Sequence, residues 1–225
     1  MSTASPSMRL DARPSARGWI HLGAFALTPV LAATMIALAA LEGAVAALGA
    51  SVYCSSMAAV FGVSALYHRR TWSERGWQVM RRLDHVTIFV FIAGTYTPFG
   101  LLTLEGATRW WVLGSVWTGC LAGAAMKLRW PHAPRWTAVP VYLLVGWIAV
   151  FVAGEIATNA GVAALVLLIA GGLLYSLGGV VYAVHRPDPR PDVFGYHEVF
   201  HLLTVLAASC QYIAVFLAIY NTPLA

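Results

Sequence analysis

The stretch GVAALVLLIAGGLLYSLGGVVYA, from Gly161 to Ala183, carries no charged residue and, as a helix, is long enough to cross the hydrocarbon core of a bilayer, which takes about 20 residues. Working outward from it, similar charge-free apolar runs cover Trp19–Leu41, Ala44–Tyr67, His85–Leu104, Trp110–Met126, Trp136–Ala153 and Val199–Tyr220. Composition agrees: 60% of the 225 residues are hydrophobic, 10% are charged, and the mean hydropathy is +0.73. A soluble domain carries roughly 25% charged residues and needs a polar coat that so few ionic groups cannot supply. The pattern predicts an all-α integral membrane protein, a seven-transmembrane helix bundle over residues 18–225, preceded by a disordered basic tail over residues 1–17. Pro29, Pro98 and Pro140 fall inside the runs, where neighbouring helices can satisfy the carbonyls they free, so bends are expected and not breaks.

The charges that remain set an orientation. Arg9, Arg13 and Arg17 lie in the tail; Arg69, Arg70, Arg75, Arg81 and Arg82 in the second connection; Lys127, Arg129 and Arg135 in the fourth; Arg186 and Arg190 in the sixth. Of the fourteen cations, only Arg109 falls on the other side. The positive-inside rule then places the N-terminus in the cytoplasm and the C-terminus outside, with the plasma membrane as the expected location. The net charge of +5 is thereby a topology marker, and nucleic acid is not an expected partner. Trp72, Trp77, Val79, Met80 and Leu83 alternate with arginines in the second connection, as in a segment lying against anionic headgroups. Cys54, Cys120 and Cys210 sit in apolar surroundings without CxxC spacing, which predicts neither a disulfide nor a thiolate metal site.

In this topology all seven histidines fall toward the cytoplasmic side. Ionisable groups entering a membrane bundle usually face its interior, and they mark functional sites. His197 and His201, at i and i+4 at the start of the seventh run, share one helix face. The second run ends Ser64-Ala-Leu-Tyr-His68, and the third begins at Asp84-His85, so His68, Asp84, His197 and His201 arrive at one membrane depth. Three neutral imidazoles with an open position form a common catalytic zinc arrangement. Asp84 is then the candidate to orient water and accept its proton, either directly on the metal or through that water. Ser64, one turn from His68, can point at the same place, or bond back to its own helix as transmembrane serines commonly do. His85 projects about 100° away from Asp84 and is expected at the interface or beside the site. His21, His132 and His185 are expected in loops or at the interface.

Ser64-x-x-x-His68, Asp84-His85-x-x-Ile88 continuing to Ile92-Ala-Gly-Thr-Tyr-Thr-Pro-Phe99, and His197-x-x-x-His201 resemble the hemolysin III family. That family is grouped with the progestin and adipoQ receptors and, more distantly, the alkaline ceramidases. The resemblance covers the chain after residue 17. It implies Zn²⁺ on His68, His197 and His201, a water held by Asp84, and Ser64 in the inner polar shell. It further implies a zinc-dependent hydrolase acting on an amide- or ester-bearing membrane lipid. Two other functions fit the same residues. One is a receptor-like or cytolytic membrane protein with structural zinc. The other starts from the literal His197-Glu198-x-x-His201 match to metalloproteases, with Glu198 as general base.

Overall fold

The computed structural model describes residues 14–130 and 134–222. Its helices are α1 (Trp19–Glu42), α2 (Ala44–Arg69), α3 (Glu74–Thr103), α4 (Gly106–Arg129), α5 (Arg135–Gly146), α6 (Ala153–Asn159), α7 (Val162–Val184) and α8 (Tyr196–Asn221), with a 3₁₀ stretch, Ile148–Val152, joining α5 to α6. No strand occurs among the described residues. Six helical segments there are long and apolar enough to cross a membrane: α1, α2, α3, α7, α8 and the composite Thr137–Asn159. α4 matches α1 in length, at 24 residues, but three tryptophans, four glycines and the basic Arg109, Lys127 and Arg129 dilute its apolar character. The outward faces are apolar, with Leu41, Leu144 and Phe151 among the most exposed side chains. Water would not tolerate such a surface, whereas lipid suits it.

Five of the apolar runs coincide with helices to within about one turn. α3 differs: it starts at Glu74, well before His85, with Ser73 as N-cap accepting from the Gly76 amide at 3.2 Å. The arginines that end the apolar run do not end the helix, because a helix can continue past the hydrocarbon region with charges on its exposed face. Residues 74–84 are thus the entry of α3, with Met80 buried, Arg81 and Arg82 half-buried and Val79 and Leu83 exposed. The fifth run also differs. It breaks after Gly146 and resumes at Ala153, and the break is not at Pro140. The freed backbone is satisfied by Tyr96 of α3, whose hydroxyl donates to the Gly146 carbonyl at 2.7 Å and accepts from the Ala149 amide at 2.8 Å.

Residues 1–13 of the expected tail and His132 lie outside the described residues. Residues 14–17 form a turn in which the Ser15 and Ala16 amides donate to the Asp192 and Val193 carbonyls, each at 3.0 Å. The start of α1 is thereby strapped to the connection that leads into α8.

Small residues bring the central helices together. A Cβ on Gly94 of α3 would sit 2.0 Å from the Ser56 hydroxyl of α2, so only glycine permits that approach. On α7, Gly171 lies against Gln211 and Gly178 against Phe200 of α8, so both glycines serve packing within the chain. The consequence is a bundle in which the beginnings of α1, α3 and α8 and the end of α2 converge at one end.

Candidate metal centre

That end holds the histidines. His68 closes the last turn of α2, and His197 and His201 lie on successive turns at the start of α8. The first turn of α8 is fixed by its cap: the Glu198 carboxylate accepts from the Gly195 amide at 2.9 Å, and Asp188 accepts from the Tyr196 amide at 2.9 Å. His68 and His201 are buried, and His197 is half-buried. One ring nitrogen from each of the three lies within 4.8 Å of the others, so the three side chains can hold a metal ion. Nε2 of His68 and Nε2 of His197 are 3.3 Å apart. Two nitrogens bound to one tetrahedral zinc at about 2.0–2.1 Å lie about 3.3 Å from one another, so the donor set fits that ion's size and chemistry.

The cluster lines one end of a cavity of about 590 Å³ that continues between α3, α5, α7 and α8 past Tyr96 and Tyr175 to Leu104 and Ile156. Ser64 and Asp84 are on its wall beside the histidines, with the Ser64 hydroxyl close to the Asp84 carboxylate. Asp84 is not one of the groups that meet within 4.8 Å, so among the described residues the metal-sized cluster is three imidazoles alone. His85 also lines the cavity, with Nδ1 2.8 Å from the Arg81 carbonyl, and Tyr67 packs its ring 4.6 Å from that of His68. His185 ends α7 with a left-handed backbone and rests on Tyr196.

Matching residues 11–212 is the family described as haemolysin-III related. The chain belongs to the hemolysin III family. Within it, the chain is 27% identical to Hemolysin-3 of Bacillus cereus over 201 residues, 89% of each protein. Similarity to the Hemolysin-3 homolog of Bacillus subtilis (strain 168) is 27% over 173 residues, covering 77% of this chain and 78% of that one. The relation extends to the Monocyte to macrophage differentiation factor of Homo sapiens, 24% identical over 180 residues, or 76% of this chain and 71% of the relative. This hemolysin III chain is accordingly a multi-pass membrane protein, as its motifs imply.

Two residues of the site escape a linear reading of the sequence. His21, expected in a loop or at the interface, is buried in the first turns of α1 with its ring stacked on that of His201, centroids 3.8 Å apart and planes 3° from parallel. Arg17, assigned above to topology, pairs with the buried carboxylate of Glu198. Both contacts join residues about 180 positions apart, and nothing local signals them. Placing a histidine one turn into the first span, at the depth of the other three, is the only hint.

Proposed function

We propose that this chain is an integral membrane hydrolase in which zinc, held by His68, His197 and His201, serves the cleavage of an amide- or ester-bearing lipid. The observation that carries the proposal is the position of a three-imidazole cluster, with Asp84 and Ser64 beside it, at the polar end of a largely apolar cavity within the bundle. A lipid fits such a shape, with its chain along the apolar walls and its polar linkage at the histidines. Zinc bound there supplies Lewis acidity toward a carbonyl and promotes water as a nucleophile. Asp84 accepts the proton of the attacking water and returns it to the leaving amine or alkoxide, so charge does not accumulate in a low-dielectric site. Ser64, close enough to act on Asp84, serves to orient that carboxylate.

The proposal includes seven crossings, α4 among them, with the N-terminus and the histidines on the cytoplasmic side of the plasma membrane, following the arginine distribution. The ceramidase-like choice of an amide lipid rests on the motif resemblance. A structural metal would ordinarily be closed by four protein ligands, and three convergent imidazoles favour an open position. A peptide-cleaving HExxH site requires Glu198 free to act on water. Here both of its oxygens are engaged, one by Arg17 and one by the Gly195 amide. The cytolytic reading takes its support from the name of the Bacillus cereus relative.

Hydrolysis of a long-chain amide or ester lipid by the purified, zinc-loaded chain in liposomes tests the proposal. Asp84→Asn is expected to lower the rate by about 10²–10⁴-fold with zinc retained, and Glu198→Gln to be the milder change. The reverse order would support peptide cleavage, and dye release from the liposomes at low protein-to-lipid ratio without hydrolysis would support lysis.

A further inference from the structure

The start of α1 touches the histidine cluster at three points, each on a different partner. Arg17 pairs through Nε with the carboxylate of Glu198, which is 1% exposed and lies between His197 and His201 in the sequence of α8. Gly18, with φ +81°, packs against the last turn of α2 so closely that a Cβ there would come within 2.8 Å of the His68 Cβ. His21 lies flat on His201, with the ring of Phe61 at 5.1 Å in an edge arrangement on it. The turn that carries Arg17 is itself held to the α7–α8 connection by the Ser15 and Ala16 amides.

The form of the His21 contact restricts what that ring can do. Both ring nitrogens are buried and neither makes a hydrogen bond of ordinary geometry. Imidazole lone pairs lie in the ring plane, and two parallel stacked rings direct theirs along parallel planes. His21 is therefore not a fourth ligand to an ion held by His201; it acts through its face. Removing the partner of a buried carboxylate leaves an uncompensated charge, so Arg17 and Glu198 are bound to move together.

We propose that the amino-terminal turn of α1 is the positioning element of the metal centre. Arg17 sets the first turn of α8, Gly18 admits the contact with His68, and His21 fixes the plane of the His201 imidazole. This rests on the metal-site reading above. Groups that orient metal ligands without touching the ion typically govern affinity by 10–100-fold when removed.

Cobalt(II) titration of the full chain in detergent, read by visible absorption and by chelator competition, tests it without reference to turnover. Arg17→Gln and His21→Ala are expected to bind cobalt about 10–100-fold more weakly with an altered visible band. Arg17→Lys keeps the charge without the planar fork and is expected to recover part of the affinity. His21→Phe keeps a flat ring on His201 and is expected to match the wild type, and both conservative variants keep the test decisive if the larger changes fail to fold. Wild-type affinity and spectrum in Arg17→Gln and His21→Ala would overturn the positioning role while leaving the metal site intact. A His21→Phe variant as weak as His21→Ala would overturn the ring-face account. A wild-type chain that takes up no cobalt would overturn the metal site and the positioning role together.

Discussion

The two ends of the bundle use their polar side chains for different ends. At the end opposite the histidine cluster, side chains meet backbone: Asn159 donates to the Thr103 carbonyl at 2.7 Å, Asn221 to the Ala160 carbonyl at 2.9 Å, and Arg109 to the Leu104 carbonyl at 2.8 Å. Each closes a helix terminus whose last carbonyls have no partner within the helix. At the histidine end, Glu198 and Asp188 also cap backbone amides, but there side chains meet side chains as well: Ser64 with Asp84, His68 with His197, Arg17 with Glu198 and His21 with His201. One end is terminated and the other is equipped. The difference shows that polar residues at membrane depth are not informative by their presence alone; what they face decides between capping and chemistry.

Substitutions at the two ends should therefore fail in different ways. His197→Ala has the largest expected effect at the equipped end, with metal and lipid hydrolysis both lost and the helices retained by circular dichroism. Ser64→Ala should keep the metal and lower hydrolysis by about tenfold, because Asp84 loses the neighbour that orients it; an unchanged rate would detach Ser64 from the site. Between the ends, Tyr96→Phe leaves the Gly146 carbonyl and the Ala149 amide without their partner. It should cost about 1–3 kcal/mol in thermal or denaturant unfolding. At the terminated end, Asn159→Ala should cost about 1 kcal/mol of stability with metal content and hydrolysis unchanged. Loss of metal in Asn159→Ala would erase the distinction between the ends.

Much of this arrangement is legible from residues alone, for stated reasons. The apolar runs give the helices because a chain crossing lipid must pair its backbone within each segment. Ser64, His68, Asp84, His197 and His201 come together because a bundle of alternating direction brings every second connection to the same face. The start of α3 is hidden because Arg75, Arg81 and Arg82 end the apolar run without ending the helix. The break after Gly146 is hidden because its compensation is a single hydroxyl, that of Tyr96, about 50 residues away. Arg17 and His21 are hidden for the same reason at longer range: an arginine near a terminus is first a topology signal, and only the closed bundle shows it against Glu198.

The central claim is that three histidines from two helices hold one ion. Zinc analysis of the purified wild-type chain beside His68→Ala, His197→Ala and His201→Ala tests it most directly, before any substrate is chosen. The account predicts close to one zinc per wild-type chain and loss in each of the three variants. Zinc absent from a folded wild-type chain, even after dialysis against the ion, or zinc retained in all three variants, would contradict it.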